Sequence, residues 1–194
     1  DVDRVYMLFV QATTGAGGYK AVAIGSQSYA GGYNSLALGG GAESLGDSGI
    51  AIGNQAVANT YATAVGPFAV ATGYSATAIG DTANALGDNS VAAGSNAYAA
   101  GVNDIAVGNG AATGANFNNN IAIGANAYAG NHNDNIAIGQ GANATGKYAT
   151  AVGRYADASG KYAAAFGDGA RALGLYSSAL GSNARAVADF GTAV

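Results

Sequence analysis

The chain contains no cysteine and no tryptophan, one proline and one methionine, and only 9% of its 194 residues are charged. Without cysteine it has neither disulfide staples nor thiolate metal sites, which suits a chain that crosses an oxidising compartment without needing them. Large side chains are scarce and the apolar fraction is chiefly alanine, so a deep globular core is excluded and the interior must be thin. Seven Lys and Arg against eleven Asp and Glu give a net charge of −4. That balance offers no basic field to a phosphate backbone and argues against nucleic acid as a partner. The longest apolar stretch near the start, Val5 to Val10, is far shorter than the ~20 residues that cross a bilayer. No basic leader precedes it, so a signal or anchor is expected to have been removed.

Glycine, by contrast, is abundant at 33 residues, and it is periodic. A glycine preceded by Ala and then one further residue, usually apolar, recurs at Gly25, Gly39, Gly53, Gly66, Gly80, Gly94, Gly108, Gly124, Gly139, Gly153, Gly167 and Gly181. The interval is 14 residues except for 13 before Gly66, 16 before Gly124 and 15 before Gly139. A second small residue, often glycine as at Gly32, Gly87 and Gly160, follows seven later. Half-repeats of this length hold a strand of about five residues and a turn, whereas helical repeats need roughly 33 residues or more. The pattern predicts an all-β, parallel β-solenoid of about twelve coils.

Two positions before each repeat glycine the residue is always Ala, as at Ala51, Ala92, Ala122 and Ala179, which only a crowded interior demands. Its neighbours point to the other side of the strand and are larger. Three positions before the glycine stand Val22, Leu36, Ile50, Ile105, Ile121 and Ile136. One position before it stand Ile24, Leu38, Ile52, Val65, Ile79, Val107, Ile123, Ile138, Val152, Phe166 and Leu180. The first strand is therefore apolar on both faces. In the second strand Ala recurs at alternate positions, as at Ala56 and Ala58, and the residue between varies freely, as Tyr29, Glu43, Asn84 and Arg185 do, so that face meets solvent. An alanine interior is too thin to stand alone. Each ridge side chain is worth about 1.5–3 kcal/mol if fully buried, and identical chains are the natural cover; a homo-oligomer in which association is part of folding is expected.

Residues 1–18 break the pattern, and the bulky Leu8, Phe9 and Val10 are expected to form an N-terminal cap with a degenerate first coil ahead of the repeats at 19–194. Thr192, Ala193 and Val194 match the residues just before a repeat glycine, so the array is expected to continue. The long turns Asn116 to Asn120 and Asn131 to Asn135 are asparagine-rich, which suits backbone at positive φ.

The residues of catalysis are missing. His132, the one histidine, has Asp134 two residues on but no second histidine, and reads as a solvated turn residue rather than a ligand or base. Serines lack a base in sequence reach. The Gly-Gly-x-Gly-x-Asp calcium turn is absent, as is a Walker lysine. A Thr ladder suited to ice binding, begun by Thr63, Thr77 and Thr150, is broken by Ile, Val and Leu elsewhere. No enzyme activity, cofactor or metal is expected.

The runs Ala21-Val22-Ala23-Ile24-Gly25, Asn120-Ile121-Ala122-Ile123-Gly124 and Asn135-Ile136-Ala137-Ile138-Gly139 resemble the motif of YadA-like heads of trimeric autotransporter adhesins, over residues 19 to 194. That resemblance implies a left-handed parallel β-roll, a homotrimer packed through the apolar ridge, and display on a Gram-negative cell surface through a C-terminal stalk and outer-membrane anchor lying outside this sequence. It further implies attachment to host matrix proteins, host cells or other bacteria, with a spacer or fibre segment as the alternative. For the ligand surface the expectation falls on the C-terminal coils. Residues 147 to 194 carry five bases against three acids, while 1 to 146 carry two against eight. There Lys147 and Lys161, Tyr148, Tyr162 and Tyr176, and Arg171 and Arg185 recur one coil apart, and Tyr and Arg are enriched where partners bind strongly.

Overall fold

The computed structural model describes residues 13–14 and 19–194, and the expected cap at Leu8, Phe9 and Val10 lies outside them. Each coil contributes one strand of three residues, such as Ile50–Ile52, and one of two, such as Val57–Ala58. These build two thirteen-stranded parallel sheets, one from the twelve three-residue strands with Thr192–Ala193 added at its end, and one from the remaining two-residue strands. Pairing is in register from coil to coil: Ala51 lies between Ala37 and Ala64, and Ile52 between Leu38 and Val65. Thr13–Thr14 pairs with Tyr29–Ala30 and extends the short-strand sheet by one strand.

The interior is one alanine deep. Ala51, Ala56, Ala58, Ala62 and Ala64 are all fully buried, and the same positions repeat along the molecule. Alanine recurs because each inward position is stacked on its counterparts one coil away, and between Ala30 and Ala186 only Ser44 and the branched Thr113 replace it on the inner face of the short-strand sheet. The larger side chains flank it outside, so each three-residue strand alternates outward, inward, outward.

The strands are shorter than the expected five residues because the turns take more of each half-repeat. Outside the two enlarged turns, which hold two each, one residue in each half-coil has left-handed backbone, as in the series Thr82, Asn89, Asn96 and Asn103, with φ of 54° to 59°. Asparagine tolerates this region, yet Tyr61, Phe68, Tyr148, Tyr155, Tyr162, Tyr176 and Phe190 occupy it too. Hydrogen bonds between coils fix these turns: Asn96 donates to the Asp81 carbonyl and Asn103 to that of Asp88, both at 2.9 Å.

The two glycines of a repeat serve different ends. Gly53 has φ of 132°, a region closed to other residues, and a Cβ there would come within 2.6 Å of the Gly66 carbonyl carbon in the next coil. Gly87 has ordinary φ, but a Cβ would strike the Gly101 carbonyl; it is glycine for close approach alone.

Candidate interaction surfaces

The long-strand sheet carries the predicted ridge on its outer face. Val107, Ile123 and Ile138 stack in register, as do Ile105, Ile121 and Ile136 behind them. The row next to the glycines is the more open one. Ile79 is 47% exposed, Ile24 44% and Leu180 41%, with Phe166, Leu38, Ile123 and Ile138 close behind. Ile52, Val65 and Val152 are half-buried, as are Leu36 and Ile50 of the inner row, while Val22 is exposed. Ala93, Thr63, Thr77, Ala164 and Ser178 interrupt the two rows without breaking their alignment. The result is a continuous apolar stripe running the length of the coil stack.

The seven predicted ligand residues separate into two groups. Tyr148, Tyr162 and Tyr176 stack along one turn edge, with ring centroids 5.2 and 4.7 Å apart and planes within 19° of parallel. Phe190, which the sequence reading missed, extends the stack at 5.4 Å; its position fourteen residues after Tyr176 was the signal. Lys147 and Lys161 hold their Nζ atoms 5.1 Å from the ring centroids of Tyr148 and Tyr162. Arg171 and Arg185 lie elsewhere, paired in register on the outer face of the short-strand sheet.

Charges at this end are partly matched inside the chain. Arg154 Nη2 meets Asp168 Oδ2 at 2.8 Å, and Arg171 Nη2 meets Asp157 Oδ2 at 3.4 Å. The hydrogen bond and charge of Arg154 hold the Asp168 carboxyl below its ordinary value, and Asp168 raises the guanidinium in turn. Other turn acids act as caps across coils. Asp47 accepts from the Tyr33 amide and Asp88 from that of Tyr74, both at 2.8 Å, and Asp189 accepts from Leu175 at 2.9 Å. Each aspartate thereby satisfies the exposed amide of the coil before it.

The two enlarged turns lie side by side above a buried polar ladder that the sequence reading also missed. Asp104 Oδ2 accepts from the Gly101 amide and Oδ1 from the Asn120 amide, both at 2.8 Å. Asn120 Oδ1 accepts from Asn135, and Asn135 Oδ1 from Ala149, at 2.9 and 3.0 Å. All three side chains are fully buried. Burial pushes the Asp104 carboxyl above its ordinary value, against the lowering effect of hydrogen bonds from Thr113 and the two amides. Above the ladder His132 is exposed, its ring 5.9 Å from Phe117 and its Nδ1 3.3 Å from the Thr145 carbonyl oxygen. Among the described residues no group of three His, Cys, Asp or Glu could hold a metal ion.

Comparison with curated proteins gives no match. Among solved structures the chain is similar to the collagen-binding domain of the Yersinia adhesin YadA, with 27% sequence identity and a TM-score of 0.50, over 79% of this chain and 69% of that one. The profile of the YadA head domain repeat matches residues 16–42, 44–69, 59–83, 71–97, 85–111, 136–156 and 158–194. The stretch left unmatched between 111 and 136 holds the two enlarged turns, where the repeat length departs from fourteen. With the repeat profile spread over most of its length and a roll of alanine-filled coils beneath it, the chain belongs to the YadA head domain repeat family.

Proposed function

We propose that this chain is the head of a non-enzymatic cell-surface adhesin, a homotrimer that attaches to host matrix proteins, host cells or other bacteria. Membership of the YadA head repeat family, with similarity to a collagen-binding domain, supports the adhesive reading. Trimer formation is supported by the apolar stripe, whose isoleucines, leucines and phenylalanine would otherwise face water along the whole stack. Three copies packed on it would present their short-strand sheets and turns outward, repeating every surface feature around one axis. Such repetition favours avidity over single-site affinity. In the full-length protein a C-terminal stalk and outer-membrane anchor would hold the head away from the cell.

Binding of the purified chain to immobilised collagen, fibronectin, laminin and whole cells, beside an ice-recrystallisation assay, tests this reading. Saturable binding to a matrix protein or to cells is expected. Activity confined to ice would overturn it, and silence throughout would leave a spacer or fibre segment in its place.

A further inference from the structure

We propose that the edge formed by Lys147, Lys161, Tyr148, Tyr162 and Tyr176 is a binding rail for a linear acidic polysaccharide, laid along the coil stack with one sugar against each coil. The proposal rests on the adhesive reading and names the chemistry of one ligand. It starts from how the structure sorts the charges. Arg154 and Arg171 are matched by Asp168 and Asp157, whereas Lys147 and Lys161 make no ion pair among the described residues. Each of the two ammonium groups instead lies 5.1 Å from the centroid of the tyrosine ring that follows it in sequence. They form a line of uncompensated positive charge in the last quarter of the chain, residues 147 to 194, where bases outnumber acids.

The aromatic stack restricts what such a line can hold. Its ring faces are closed against one another, so what remains open is a row of ring edges and hydroxyl groups, with the tyrosines 38–49% exposed. Hydroxyls and ammonium groups in alternation are donors for sugar oxygens and for carboxylate or sulfate groups. Spacing then selects the polymer. The rings repeat at 4.7–5.4 Å, close to the advance of one pyranose in an extended polysaccharide. An extended peptide places same-face side chains about 7 Å apart and falls out of step. The turn itself does not ask for tyrosine, since Asn, Ser or Gln fills the equivalent left-handed position in many half-coils.

The test uses the whole chain on a biosensor, with a heparin dodecasaccharide and an oligogalacturonide of equal length as probes. At least one should bind, with affinity falling as salt rises. Lys147→Gln with Lys161→Gln should weaken it at least tenfold and flatten the salt dependence, with an unchanged melting curve. Arg154→Gln, whose charge Asp168 already takes, should bind like wild type. Response to heparin alone would assign sulfate, to oligogalacturonide alone uronate, and to both an anion of either kind in register. Failure of both probes, an undiminished double variant, or equal binding of a single-stranded oligonucleotide of the same charge would overturn the proposal. Collagen or cell binding retained in that event would leave the adhesive reading standing.

Discussion

An alanine with no exposed surface and an identical neighbour above and below it has no room to grow. Ala92 lies between Ala78 and Ala106 in this way, so Ala92→Leu should lower stability by about 1–3 kcal/mol or more through overpacking, read as a shift in urea midpoint. Gly53→Ala meets both a closed backbone region and the Gly66 carbonyl, and should cost at least as much. Asp104 adds a pH dependence of defined sign. Its folded pKa is raised, chiefly by burial, so its contribution to stability is full below the unfolded carboxyl value of about 4 and is lost as pH rises through the folded value. Urea unfolding of wild type and Asp104→Asn across that window should show the acid-side gain in wild type and its loss in the variant. A wild-type stability that climbs with pH there, with no difference from the variant, would contradict the assignment. Asp168 has the opposite sign, being stabilising above the unfolded value and losing that effect as pH falls, but it and Arg154 are exposed and solvent screens them.

At the scale of strands and turns, the sequence made the architecture readable because each coil repeats one steric demand. Alanine two positions before glycine marks the inside, and the larger residues beside it mark the outside. Both sheets, their register and the outward stripe follow from that spacing, and the structure carries them as expected. Strand length and turn geometry were not legible. A left-handed residue in each half-coil leaves no fixed residue type, being Asn, Ser, Gln, Thr or Tyr by turns. The ladder of Asp104, Asn120 and Asn135 was hidden for a similar reason, since its members stand 16 and 15 residues apart and meet only once the enlarged turns bring their coils back into register. The tyrosine stack was visible as a fourteen-residue recurrence, but its backbone strain was not. Because Tyr162 has φ of 59° and a ring on either side, two substitutions separate these effects. Tyr162→Asn loses two stacking contacts, each worth about 0.5–1.5 kcal/mol, but suits the left-handed region. Tyr162→Val loses the contacts and also places a branched Cβ where it is least tolerated. Thermal melts should therefore rank wild type first, then the asparagine variant, then the valine variant; equal melting of the two variants would show that the backbone there carries no strain.

For the whole molecule, a roll whose interior is alanine buries little apolar area per residue, and its isoleucines lie on the outside of one sheet. Stability and assembly should then be one process, with the stripe supplying in the trimer what the interior lacks in the protomer. Replacing Ile52 and Ile123 together with Asp would place two unpaired charges per chain in that seam, at a cost of several kcal/mol, and should release unfolded chains rather than folded monomers. The unmodified chain provides the most direct measurement: its mass by sedimentation velocity and equilibrium, with circular dichroism on the same samples, over a wide dilution range. A single species of three chains is predicted, losing its β signal only as it dissociates; a folded monomer that persists on dilution would contradict the claim that the apolar stripe is covered by copies of the same chain.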